Sequence, residues 1–403
     1  MTFLRSLSHR AFALLWTGQT VSRLGDSLYR VALAWWMLEE TGSATAMGAV
    51  MIFSFTPMLI FLLIGGVLVD RLPRLRVMLV CDVASGAIIG TVALLAFADR
   101  LEVWHVYAAS LLFGLVEAFF FPAYTAAVPA LTPAEALPSA NSLTSLSHQI
   151  TGIVGPAVAA AIVAAGGTPL AFLLDGLSFF LSAAFLLPLL RQDAAPAPAG
   201  DGRTALADLR DGLSLVLASP WLWITIALFA FTNVALSGPR AVALPFLIQE
   251  NLGAGVEALG LISSSAAAGS MVGTVWLGRY ARLRRRGLVG YLCTAVTGLS
   301  FFVFGLAVPL SVIIGAAFVG GLSISMFGLI WTNTLQELVP GEKLGRVSSI
   351  DALGSFVLLP VGYAVAGWAT DLVGAPLVFA VGGAVTTLLA LAGLLHPAIR
   401  HLD

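Results

Sequence analysis

Three charges stand in the stretch SRLGDSLYR, Ser22 to Arg30, inside an apolar run from Phe12 to Leu38. Arg23, Asp26 and Arg30 are spaced by three and four residues, which puts them on one face of a helix and lets the acid pair with either arginine. Ionisable groups in the middle of a membrane helix are costly, and they face the bundle interior or a wet cavity. The chemistry open to this trio is therefore proton exchange or charge gating. Two readings stand side by side: a structural salt bridge that fixes helix packing, and a coupling site where Asp26 gains a proton from outside and releases its arginine.

Glu117, deep in another apolar run, is the second proton-coupling candidate, or else a neutraliser of Arg23 or Arg30. Asn233, His148, Gln149 and Asn333 are polar residues within other runs, and Arg240 follows Pro239 in one more. Each is a candidate for the wall of a substrate cavity, with hydrogen bonding between helices as the alternative. Trp331 offers an apolar wall. Asp82, Asp351 and Asp371 fall near run ends, where a structural role is expected.

These residues sit in a chain of 403 with 59% hydrophobic and 10% charged residues, too few polar groups to cover a water-soluble fold. The formal net charge of −1 and the lack of a basic face exclude nucleic acid as a partner. No HExxH, GxSxG or phosphate-binding GxxxxGK[ST] motif occurs, so no enzyme is expected. Cys81 and Cys293 lie in separate apolar runs, giving no disulfide framework, metal site or cofactor.

A bilayer-crossing helix needs about 20 apolar residues, and six such runs lie on each side of RQDAAPAPAGDG, Arg191 to Gly202. The expected class is an all-α integral membrane protein of twelve transmembrane helices in two six-helix bundles, residues 1–190 and 221–403. Between them lies a cytoplasmic linker, 191–220, in which Leu206, Leu209, Leu213, Val216 and Leu217 allow either a short surface helix or an extension of the seventh span. Arginine-rich loops fall on one side, which places both termini in the cytoplasm. The first run exceeds 20 residues and lacks a small-residue cleavage site, so it reads as a retained span.

Sliding the second half over the first gives a constant offset of 207. Gly114 meets Gly321, Pro133 meets Pro340, Gly155 meets Gly362, Gly167 meets Gly374, Pro169 meets Pro376 and Gly176 meets Gly383. Six spans separate equivalent positions, so the repeat is parallel, about an axis along the membrane normal. The same offset pairs Asp26 with Asn233. One half carries an acid where the other carries its neutral isostere.

With GVLVDRLPR between the second and third runs, the chain resembles the major facilitator superfamily. Gly66, Leu68, Asp70, Arg71 and Arg74 fit that family's loop signature, with Pro73 in place of the second glycine; the second-half copy keeps Gly273, Arg279 and Arg282 but has Gly278 where the acid would be. SRLGDSLYRVAL and the stretch EAFFFPAYTAAVPALTPAEALPSANSL resemble the branch that includes bacterial macrolide efflux proteins and the enterobactin exporter. Gly152, Gly155 and Pro156 resemble the antiporter signature, from which Ala159 and Ala160 depart.

The resemblance implies a monomeric secondary transporter of the bacterial inner membrane that exports an amphipathic small molecule such as a drug, macrolide or siderophore. Alternating access driven by protons would power it, and membrane lipid would surround it. A lipid translocator or uptake symporter on the same fold, and a transport-inactive receptor, are the alternatives.

Overall fold

The computed structural model describes residues 5–69, 72–192, 213–279 and 284–403. It is all-helical, with no strand among the described residues. Among the described residues, ten segments are long and apolar enough to cross a membrane. Outside them stands α1 (Arg10–Thr41), 32 residues long and diluted by Arg23, Asp26, Arg30, Glu39 and Glu40. Large apolar side chains such as Leu94 and Leu388 stay 68% and 65% exposed, as a lipid-facing surface requires.

The chain divides into two compact units, Met1–Gly42 with Ala49–Gly200, and Ser43–Gly48 with Asp201–Asp403. In the first, α1 ends at Gly42, whose φ of 57° permits the left-handed cap that returns its N–H to the Leu38 carbonyl. Next come α2 (Ala44–Val69), α3 (Arg74–Phe97), α4 (Val103–Ala130) and α5 (Leu137–Leu186). At 50 residues, α5 would run about 75 Å if straight, far beyond one bilayer. It is broken at Gly167, with φ 75° and ψ 173°, and Pro169 starts the next arm.

Contacts with α1 reveal how the two arms run. Trp16 donates to the Leu143 carbonyl, Thr20 bonds Ser147, and a Cβ at Gly155 would lie 2.5 Å from Ser27 Oγ, so the first arm climbs with α1. Gly18 faces Ser182, whereas Gly25 faces Ser178 and Asp175, so the second arm descends along it. The break at Gly167 therefore reverses the chain and makes two crossings of α5. At the end of the unit, Phe12, Leu15, Leu75, Met78, Tyr124, Leu143 and Leu186 form one apolar core.

In the second unit, α6 (Pro220–Gly238), α7 (Val256–Leu277), α8 (Arg286–Phe304), α9 (Leu310–Leu338), α10 (Gly341–Phe356), α11 (Leu359–Val373) and α12 (Ala375–Leu394) follow. The 207-residue offset is present in its backbone. Gly374 has φ 84° and ψ 154°, matching Gly167, and Pro376 follows as Pro169 does. A side chain at Gly114 would overlap the Ser54 carbonyl oxygen, and one at Gly321 the Ala266 carbonyl oxygen. Gly155 abuts Ser27, and Gly362 abuts Val234, again 207 residues on in both members.

Two of the expected spans are each present as one candidate crossing, Pro220–Asn251 and Lys343–Val373, with a local irregularity near proline. Beyond α6 the chain takes π-helical turns at Pro239–Ala243 and Leu247–Asn251, because Pro239 and Pro245 cannot donate the amide hydrogen bond of a regular helix. The run expected at 347–371 is split between α10 and α11, with Pro360 in the first turn of the latter. Of the expected linker helix, residues 206–212 lie outside the described residues. Residues 213–218 are helical, with Val216 buried against Leu222, Leu335 and Val339.

Ser43–Gly48, the start of α2, belongs with the second unit because Asp371 of α11 holds it. The Asp371 carboxylate accepts from the amides of Ala44 at 2.6 Å and Thr45 at 3.0 Å, and from the Ser43 hydroxyl at 2.9 Å. Its charge lies at the positive end of α2, as a capping acid does, although it comes from a distant helix.

Candidate functional site

The first unit gathers its ionisable residues around α1. Asp26 and Arg23 are half-buried and Arg30 is exposed, consistent with one face of α1. The expected direct pairing is not formed: among the described residues, neither arginine comes within 4.0 Å of the Asp26 carboxylate. Each guanidinium has another partner. Arg23 stacks over the Tyr124 ring of α4, 5.0 Å from its centroid, and Arg30 donates to Ser27 Oγ at 3.1 Å. A cation–π contact competes with an ion pair once water is partly excluded. Asp26 keeps the attraction of both arginines at longer range.

Glu117 of α4, half-buried, faces the same cluster, and its electrostatic neighbours are Asp26, Asp82, Arg30 and Arg23. Asp82 corrects the expectation of a solvated residue near a span end. It is only 1% exposed, because α3 packs on α5, whose second arm brings Ser182 to it. Ser182 donates to Asp82 Oδ2 at 2.7 Å, and Gln19 Nε2 donates to Ser182 Oγ at 2.8 Å, so three helices are joined by one buried chain of hydrogen bonds.

Asp175, fully buried on the second arm of α5, completes the cluster. It is missing from the sequence-derived candidates, although an isolated acid in the apolar stretch FLLDGLSF carries the same signal as Asp26. Gly25 makes room for it. A Cβ there would overlap Ser178 Oγ and sit 2.5 Å from Asp175 Oδ1. The arrangement is four acids and two arginines on helices of one unit, of which Asp82 and Asp175 are shut off from water, where a charge responds strongly to its neighbours. Among the described residues no group of acids, histidines and cysteines has the layout of a metal site.

The Major Facilitator Superfamily model matches residues 15–358 and 240–401. The chain belongs to the major facilitator superfamily. Within the superfamily it is similar to macrolide efflux protein A of Streptococcus pyogenes, 25% identical over 400 residues that cover 97% of each chain. It is also similar to the enterobactin exporter EntS of Citrobacter koseri, 27% identical over 364 residues, 88% of this chain and 86% of the relative. The fold is shared with a bacterial homologue of the iron transporter ferroportin, solved in an inward-facing state, with a TM-score of 0.69, 16% identity and coverage of 95% and 98%.

The superfamily's loop signature is only partly within the described residues. Asp70 and Arg71 lie outside them, and Gly66 falls in the last turns of α2. Arg74 opens α3 and donates to the Ala126 carbonyl at 3.3 Å, close to the C-terminal end of α4, where a cation is favoured. In the second unit Arg286 opens α8 and pairs at 2.5 Å with Glu337 near the end of α9.

The substrate-cavity candidates do not form one cluster. His148 is exposed on the first arm of α5, within electrostatic reach of Arg23, and Gln149 beside it is half-buried. Asn333 and Arg240 are exposed in the second unit. Trp331 and Asn233 come together there through α10: Trp331 Nε1 donates to Asp351 Oδ2 at 2.9 Å, and Asn233 Nδ2 donates to the Ser355 carbonyl at 2.9 Å. Trp331 also meets Trp221 edge-on and stacks on Phe327, which stacks on Phe229 at 4.1 Å. The predicted wall residue thus heads an aromatic row. Asp351, expected to be structural, is its polar end.

Proposed function

We propose that this chain is a proton-coupled exporter of an amphipathic small molecule, working by alternating access in the bacterial cytoplasmic membrane with both termini in the cytoplasm. Asp26 and Glu117 take and release the proton, and Arg23 and Arg30 set the local field. The trio and Glu117 lie in the first unit, while Asn233, Arg240, Trp331 and Asn333 are assigned to substrate in the second, with His148 and Gln149 added from the first. Gly66, Asp70, Arg71 and Arg74 act as the conformational loop. Protons and the exported compound are its partners, and no enzymatic step is assigned.

The observation that carries the reading is the asymmetry of charge. At the offset of 207, Arg23, Asp26, Arg30, Asp82, Glu117 and Asp175 meet Ala230, Asn233, Ser237, Val289, Ile324 and Gly382. A repeat that served only packing would have no reason to keep such costly groups in one copy. Similarity to a macrolide efflux protein and an enterobactin exporter supports outward movement of a bulky amphiphile.

The test is flux of a labelled macrolide in proteoliposomes under an imposed pH gradient. Wild-type protein is expected to move it against its own gradient, and Asp26→Asn to lose that drive. Undiminished gradient-driven flux in the variant removes Asp26 from the coupling step.

A further inference from the structure

Asp175 is 0% exposed, and its two carboxyl oxygens have unequal surroundings. Ser178 Oγ lies 3.5 Å from Oδ1, but that hydroxyl already donates to the Asp175 carbonyl at 2.8 Å. Oδ2 has no hydrogen-bond partner among the described residues. A buried carboxylate anion needs donors or a cation at both oxygens, whereas a carboxylic acid asks for much less. Buried polar groups without partners are rare, and each calls for an explanation.

The ionisable groups facing Asp175 are Asp26, Arg30 and Tyr29, all of α1. The Arg30 guanidinium is turned to Ser27. Below Asp175, Ser178 and Ser182 line the same face of α5, and Ser182 leads to Asp82 of α3, which together with Asp26 faces Glu117 of α4. Gly25 matters because it immediately precedes Asp26: its missing side chain brings the Asp175 carboxyl against the α1 backbone at the turn that carries the other acid. Asp175 therefore stands behind α1 within electrostatic reach of Asp26.

Resting on the proton-coupling reading above, we propose that Asp175 is a second proton-carrying carboxyl, which exchanges a proton with Asp26 past Gly25 during the transport cycle. The O–H bond of one carboxylic acid breaks as that of the other forms, and no electron moves. Asp26 meets the medium, and Asp175 holds the proton out of its reach.

The test uses full-length protein in proteoliposomes, with labelled macrolide followed both under a pH gradient and in equilibrium exchange without one. Asp175→Asn is expected to cut gradient-driven flux by at least about tenfold while exchange stays within about twofold of wild type. In infrared difference spectra, wild type is expected to show a neutral carboxylic-acid carbonyl band that this variant lacks. Gradient-driven flux within twofold of wild type overturns the proposal, as does equal loss in both assays, which a packing role would give. If Asp175→Asn does not yield folded protein, Ser178→Ala keeps the carboxyl and is expected to shift the pH midpoint of driven flux; an unmoved midpoint overturns the proposal. Wild type that ignores the pH gradient would instead sink the coupling reading itself.

Discussion

Replacing Ser182 by alanine tests whether the buried hydrogen-bond chain stabilises the first unit. The hydroxyl donates to Asp82 and accepts from Gln19, and the three residues are 1%, 1% and 3% exposed, so water cannot take its place. The variant leaves an amide and a carboxyl oxygen each short of a partner. In water-soluble proteins each orphan costs about 1–3 kcal/mol, while hydrogen bonds between membrane helices average about 0.6 kcal/mol because the separated helices also find partners. Two lost bonds therefore bracket Ser182→Ala at roughly 1–6 kcal/mol of destabilisation. Unfolding of the detergent-solubilised protein in graded denaturing detergent reads this directly. Ser142→Ala serves as control, since that exposed hydroxyl bonds only the Pro138 carbonyl of its own helix. If Ser182→Ala and Ser142→Ala unfold together, the chain from Gln19 to Asp82 contributes nothing and the three-helix seam is held by other contacts.

Gly114→Ala and Gly321→Ala should each reduce the folded yield, with a cost of about 1–3 kcal/mol or more, because the new methyl would lie 2.8 Å and 2.7 Å from carbonyl carbons that belong to helix backbone and cannot rotate aside. Size-exclusion profiles after expression check this, and Gly328→Ala, where nothing lies within 4 Å, should behave as wild type. Asp371→Ala should destabilise by about 1–2 kcal/mol through loss of the cap on α2, and Asp371→Asn should recover part of it, since an amide oxygen still accepts. Hydrogen exchange at Ala44 and Thr45 is the readout, and unchanged protection in Asp371→Ala would contradict the cap.

How far the sequence foretells this architecture depends on the range of the interactions involved. Glycine and proline act locally: the pairs Gly167 with Pro169 and Gly374 with Pro376, legible in the sequence as matches of the 207-residue repeat, are where the backbone takes a positive φ. Helical spacing likewise put Arg23, Asp26 and Arg30 on one face, but it could not foresee that Tyr124, about a hundred positions on, would draw Arg23 aside. Asp82 looked like a residue near a span end because hydropathy measures distance along the chain; its burial comes with the packing of α3 on α5, which hydropathy does not see. Asp175 had no charged neighbour in sequence to draw attention to it, and its neighbours arrive only when α1 packs through Gly25. The π-helical turns beyond α6 lie at Pro239 and Pro245, inside a run that hydropathy reads as one continuous span.

The Asp371 cap has a consequence for synthesis. Ala44 and its acceptor are 327 residues apart, and at about 5–20 residues per second the ribosome needs roughly 15–65 s to make that stretch. Throughout that interval the first turn of α2 has exposed amides and no native acceptor. Its completion is therefore among the last events of biogenesis, and a nascent chain arrested before residue 371 should leave that turn open to proteases.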